Sequence, residues 1–397
     1  MGGARRRLGR RARRGRALLA RGVHHLAAAG VDVIELYVEE NNPRALDLYA
    51  AAGFTAVVAM PNTEPPLDTA SAVREVLELG VTAACDVRVA GAITKGRKGR
   101  ELAPLGEMAD LGVRLFTDDG TGVQDGRLMR RALEYVKAFD GVIAQHAQEP
   151  RLTEGAQMNE GVVSAELGLG GWPAVAEESI IARDVLLAEH VGSRVHICHL
   201  STAGSVEIVR WAKSRGIDVT AEVTPHHLLL TDELVRSYNP VYKVNPPLRT
   251  ERDVMALREA LADGTIDIVA TDHAPHPHED KDCEWGAAAM GMVGLETALS
   301  VVQHTMVDTG LLTWVGVADR MSHTPARIGQ ADGHGRPVSA GEPANLTLVD
   351  PAYRGPVDPA GFASRSRNTP YEGRELPGRV THTWLRGRAT LVDGKLQ

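Results

Sequence analysis

Ile266–Glu296, IDIVATDHAPHPHEDKDCEWGAAAMGMVGLE, is the stretch from which the fold can be worked outward. A short apolar run, Ile266 to Ala270, breaks into Thr271-Asp272-His273-Ala274-Pro275-His276, which places an acid and two imidazoles close together. A buried parallel strand reads as such a run, and in an α/β barrel the residues just past its C-terminal end face the active site. Asp272 and His276 are therefore the first candidate functional residues. A polar turn that happens to be rich in histidine would look the same in isolation, but the pattern recurs upstream.

Phe54–Met60 is a near-continuous apolar run stopped by Pro61-Asn62-Thr63, and Val113–Phe116 runs into Thr117-Asp118-Asp119-Gly120. Gly141–Ala144 runs into Gln145-His146, Arg194–Ile197 into Cys198-His199, and Asp218–Ala221 into Glu222-Val223-Thr224-Pro225-His226-His227. Asp86–Ile93 is a further strand candidate. Between these runs, helical patterns cover Ala70–Leu79, Glu101–Leu111, Arg127–Ala138, Pro173–His190, Ser205–Ser214 and Arg252–Ala262, while Gln148–Gly171 reads as a long polar insertion. Alternating strands and helices with short links predict a parallel sheet, and seven or eight repeats predict a closed (β/α)8 barrel. Residues 54–326 form this predicted barrel. Residues 327–397 carry short strand patterns at Leu346–Val349, Val380–Leu385 and Ala389–Val392, expected as a partial β-sandwich.

The 397 residues are 43% hydrophobic and 24% charged, an ordinary globular composition with ample material for a core. Met1–Arg16 holds eight arginines and no acid, so the net charge of −7 leaves −15 on the remainder, which argues against nucleic acid as its partner. This Arg-rich tail reads as a solvated arm. Cys85, Cys198 and Cys283 form no CxxC pair, and a reducing cytoplasm is the simplest setting. No apolar run approaches the ~18 residues of a membrane span.

Asp119, His146, His199 and Asp272 each follow a separate predicted strand, and barrel geometry would bring those ends to one mouth. Two imidazoles and two carboxylates suit a first-row divalent metal, zinc above others because it accepts mixed nitrogen and oxygen ligands. Such an ion lowers the pKa of a bound water to about 7. Asp272 is then placed to take a proton from the attacking water and return it to a leaving nitrogen.

Seven ordered motifs carry a resemblance: PNTEPP (Pro61–Pro66), FTDDG (Phe116–Gly120), AQHAQEPRLTEGAQMNEG (Ala144–Gly161), HICHLSTAGS (His196–Ser205), EVTPHHLLLTD (Glu222–Asp232), KVNPPLR (Lys243–Arg249) and TDHAPH (Thr271–His276). From about Phe54 onward the chain resembles the dihydroorotases of the amidohydrolase superfamily. The resemblance implies zinc-dependent, reversible hydrolysis of (S)-dihydroorotate to N-carbamoyl-L-aspartate in pyrimidine synthesis. It implies that Asp119 bridges two zinc ions, that His146 and His199 bind one of them, and that Asp272 is both ligand and acid/base. Asp119 is preferred to Asp118 on its spacing to His146. Asn62, Asn245 and His276 are implied to hold the substrate ring and carboxylate, with backbone contacts from Met290 and Gly291. A homo-oligomer, or a complex with another enzyme of pyrimidine synthesis, stays open.

The family's first barrel strand ends in a His-x-His-x-Arg motif that this sequence lacks; His24 and His25 are adjacent and sit in a predicted helix. Residues 14–54 instead resemble the C-terminal part of a GNAT-type acetyltransferase, similar to mycothiol synthase, through LYVEENNPRALDLYAAAGF. Residues 17–53 are thus expected as a GNAT-like fragment replacing the first strand, with the join at Gly53-Phe54-Thr55 and with Glu39 or Glu40 near the metal if the strand at Val33–Val38 docks there. Three alternatives stay open: a non-catalytic dihydroorotase-like barrel serving as a partner subunit, an allantoinase- or hydantoinase-type cyclic amidase, and an acetyl-CoA-binding acetyltransferase fragment.

Overall fold

The computed structural model describes residues 48–397. The Arg-rich tail, the predicted strand at residues 33–38 and Glu39 and Glu40 lie outside the described residues. Of the GNAT-like fragment only its end is described, with residues 48–51 helical.

Strands and helices then alternate as the apolar runs predict. The order is β1 (Ala56–Ala59), α1 (Ala70–Gly80), β2 (Asp86–Val89), α2 (Leu105–Ala109), β3 (Leu115–Phe116), α3 (Gly126–Val136) and β4 (Val142–Gln145). After an insertion come α5 (Val175–Val191), β7 (Val195–Ile197), α6 (Ala203–Ser214), β8 (Val219–Val223), α7 (Glu251–Asp263) and β9 (Ile268–Val269). Side chains fix where these helices start. Thr69, Asp125 and Thr202 accept hydrogen bonds from the first free amides of α1, α3 and α6, and Thr250 with Asp253 forms a capping box on α7. Gly192 and Gly264 end α5 and α7 in the left-handed conformation that glycine adopts at least cost.

β1 pairs in parallel with β2, and β3, β4, β7, β8 and β9 form a five-stranded parallel sheet in that order. A parallel bridge from Gly91 to Phe116 links the two groups. Each strand thus lies beside the next parallel strand in sequence, an arc of seven. Among the described residues, β1 has β2 as its one strand neighbour. The core lies between this arc and its helices: Ile143, Ile197, Ala221 and Val223 from the strands pack with Met129, Leu133, Ile181, Val209 and Leu257 from α3, α5, α6 and α7.

Three segments differ from expectation. The helix predicted at Glu101–Leu111 shrinks to α2, because Pro104 sits at its N-cap and residues before it pair with the chain after β2, through the Thr94–Leu102 bridge. The insertion is built, not loose: β5 (Met158–Asn159) and β6 (Gly171–Trp172) pair in parallel around α4 (Val162–Leu167). Their two-residue strands carry no readable periodicity. At the C-terminus, β10 (Leu346–Pro356), β11 (Glu375–Leu385), β12 (Arg388–Val392) and β13 (Lys395–Leu396) form one antiparallel sheet. β10 extends well past the predicted Val349, since Pro351 falls at a register shift between Asp350 and Arg354 where a missing amide hydrogen is tolerated. No helix among the described residues is long and apolar enough to cross a membrane.

Candidate active site and metal centre

Register explains why distant acids and imidazoles meet. Phe116 of β3 pairs with Ile143 of β4, so Asp119 and His146, each three residues further on, leave the sheet at one level. Val223 of β8 pairs with Val269 of β9, so His226 and Asp272, again three residues further on, do the same. His199 follows β7 between them. His199 and Asp272 have φ of 31° and 44°. Such left-handed turns by residues other than glycine cost roughly 1 kcal/mol or more and are concentrated at functional sites.

The side chains of Asp119, His146 and His199 converge, with one potential ligand atom from each lying within 4.8 Å of the others. His146 Nδ1 is 2.9 Å from His199 Nε2, and Asp119 Oδ1 is 4.0 Å and 3.9 Å from these two nitrogens. His146 Nε2 lies 3.0 Å from Gln148 Oε1, and an amide oxygen only accepts, so Nε2 carries the hydrogen and Nδ1 turns its lone pair to the cluster. Burial, then the neighbouring His146 and His227, holds the His199 pKa well below the ordinary imidazole value, leaving it neutral.

Asp272 stands beside this trio and outside it. Its Oδ2 is 3.7 Å from Nε2 of His226, a buried nitrogen without a hydrogen-bond partner. Burial pushes the Asp272 carboxyl up to about 8, and the charges of Asp119 and Glu222 add to the effect. Burial also raises Asp119, against the opposing pull of His146 and Arg97. Both carboxylates are nonetheless open to the mouth, with side chains 20% and 28% exposed. Glu222 Oε1 accepts from the His199 amide at 3.2 Å, and Oε2 lies 3.0 Å from His196 Nε2. The neutral His199, the His146 imidazole beside it, the Asp119 and Asp272 carboxyls and the orphaned His226 nitrogen form a donor set that fits a divalent cation. Asp119, His146 and His199 could hold it directly, with Asp272 next to it.

Asp118 is spent elsewhere: buried, it accepts from the amides of Ile93 and Thr94 and from the Thr94 hydroxyl. Asn62, after β1, donates to Asp119 Oδ2 at 3.0 Å. Asn245 donates to Gln148 Oε1 at 3.2 Å and has a buried Oδ1 with no partner. His276 Nε2 lies 3.0 Å from the Met290 carbonyl, and the Gly291 amide donates to the Lys243 carbonyl at 2.9 Å, so these backbone groups face protein partners here. Glu222, His226 and Gln148 are absent from the candidates drawn from sequence. The strand-end rule applied to β8 singles out the first two; Gln148 carries no signal beyond lying two residues past His146.

A dihydro-orotase-like family pattern matches residues 35–205. A dihydroorotase of Streptomyces coelicolor is 83% identical over 350 residues, covering 87% of this chain and 82% of that protein. The chain belongs to the dihydroorotase family. It is therefore an enzyme of the cyclic amide hydrolase class. A dihydroorotase of Mycobacterium tuberculosis is 54% identical over 351 residues, covering 88% of this chain and 82% of its own length. Among solved structures, L-hydantoinase (dihydropyrimidinase) from Arthrobacter aurescens superposes with a TM-score of 0.80 at 26% identity, covering 89% of this chain and 80% of its own. D-hydantoinase from Thermus sp., at 22% identity and a TM-score of 0.74 over 92% of this chain and 83% of its own, shares the fold.

Proposed function

We propose that the chain hydrolyses (S)-dihydroorotate to N-carbamoyl-L-aspartate, and closes the ring in reverse, at the mouth formed by the ends of β3, β4, β7, β8 and β9. The observation that carries this reading is the convergence of Asp119, His146 and His199 beside Asp272. Zinc suits the two imidazoles and a carboxylate, and when bound it supplies Lewis acidity toward the ring carbonyl and a water acidic enough to act near neutral pH. Asp272 holds and moves the proton. Ionised beside the cation, its carboxylate accepts a proton from the attacking water and delivers it to the departing ring nitrogen. Asn62, Asn245 and His276 receive the ring and its carboxylate, Asn245 offering its unpartnered Oδ1 to a ring N–H.

A purified chain assayed for carbamoyl-aspartate cyclisation tests the activity: turnover supports it, and none in a metal-loaded chain contradicts it.

A further inference from the structure

Two buried cations stand outside the chemistry above. Lys243 is 4% exposed and Lys281 9%, and among the described residues their hydrogen-bond partners are all backbone carbonyls. Lys281 Nζ donates to the carbonyls of Lys243 (3.2 Å), Ala289 (2.8 Å) and Gly291 (2.9 Å). Lys243 Nζ donates to those of Trp285 (2.7 Å) and Gly286 (3.2 Å) and lies over the Trp285 ring. An ammonium has three donors, and those of Lys281 are all spent on carbonyls that it draws together. Burying such a charge without a counter-ion is costly, so it is retained where the geometry it enforces is needed.

That geometry concerns the loop at residues 277–291. Gly291 is tied to Lys243 from both sides, through its own amide and through Lys281, and Lys243 is two residues from Asn245. At the other edge, Asn368 Nδ2 donates to the carbonyls of Ala274 (3.1 Å) and Gly291 (3.3 Å), and Met290 bonds His276. The loop passes so close that a Cβ on Gly291, whose φ is 144°, would stand 2.7 Å from Ala274 Cβ and His276 Nε2.

We infer that Lys281 is a positioning residue for substrate binding: its ammonium, caged by three carbonyls, clamps the 277–291 loop against His276 and against Lys243, two residues before Asn245. This rests on the proposal that the side chains of Asn245 and His276 contact the substrate. Removing the clamp frees the loop, so substrate affinity falls while the proton transfer at Asp272 continues. Burial, with the Lys243 charge second, brings Lys281 down to about 7, so the test is run at pH 6, where the ammonium persists.

The test compares the full chain with Lys281→Met and Lys281→Gln, the latter keeping donors should the former not fold. Two quantities are read: amide hydrogen exchange at residues 286–293 without substrate, and KM and kcat for dihydroorotate. Losing these charge-assisted bonds should speed exchange at Gly291 and raise KM about tenfold each, with kcat within about twofold of the parent. Lys213→Met serves as control; it removes an ammonium bound to Gly264 and Asp267 and should alter neither quantity. Unchanged exchange at Gly291, or a fall in kcat at constant KM, overturns the inference. A parent chain without turnover sinks the substrate reading instead, and the exchange measurement alone then decides whether Lys281 clamps the loop.

Discussion

The ends of β3 to β9 and the ends of β1 and β2 belong to one parallel arc yet carry different chemistry. The first group presents titratable side chains: Asp119, His146, His199, Glu222, His226 and Asp272. The second presents donors. Asn62 bonds the Asp119 carboxylate, Arg97 bonds the Asp119 carbonyl at 2.7 Å, and the amides of Ile93 and Thr94 hold Asp118. Among the described residues the titratable side chains thus gather on one side of the mouth, and the other side fixes the orientation of its acidic turn. In such a division, changes on the β3–β9 side should abolish steps and changes on the β1–β2 side should only weaken them.

The largest effect is expected for His199→Ala, which removes one of three converging donors. Metal content should fall well below one ion per chain, and activity by more than about 10³-fold, measured by elemental analysis beside the cyclisation assay. Asp272→Asn comes next, with kcat lower by about 10²–10⁴ while the metal is kept, because Asp272 stands outside the trio. Loss of the metal in this variant would merge Asp272 with the cluster. In the metal-free parent Asp272 is protonated at pH 7, having a pKa of about 8 from burial, Asp119 and Glu222. A cation held by the trio beside that carboxyl favours its ionised form, so binding releases the proton. Affinity should therefore rise with pH up to about 8 and level off above it, a trend that metal titrations across pH can follow.

Glu222→Gln removes the smaller of the two charges that add to burial in holding Asp272 up, so the levelling point should move down. An unmoved point would show that Glu222 acts only as the partner of His196 and the His199 amide. The smallest effect belongs to the donor side. Asn62→Ala takes one hydrogen bond from Asp119 and should cost about tenfold in kcat/KM with metal content unchanged. A loss as deep as that of His199→Ala would break the contrast between the two sides.

Sequence made the converging strand ends legible because each apolar run gives way within a few residues to an acid or an imidazole, as at Phe116 to Asp119 and Ile197 to His199. Glu222 follows a run that stops at Ala221, so the same rule reaches it, but its bonds to His196 and the His199 amide depend on register and not on a local pattern. His226 sits in a short 3-10 turn, and its approach to Asp272 depends on a pairing that no local pattern encodes. The Lys281 cage joins residues up to 48 positions apart, and the Asn368 tie reaches Gly291 across 77 positions, both only through three-dimensional contact. Fold class was legible through periodicity; the built insertion and the long β10 were not, since two-residue strands and a proline at a register shift leave no periodic trace.

The central claim is that the β3–β9 side makes a working metal centre in this chain as it stands. Metal analysis of the purified chain, run beside carbamoyl-aspartate cyclisation on the same sample, addresses it most directly. At least one zinc per chain with turnover that disappears on chelation and returns with zinc is the predicted result. Fewer than one bound ion after zinc loading, with no turnover, would contradict it.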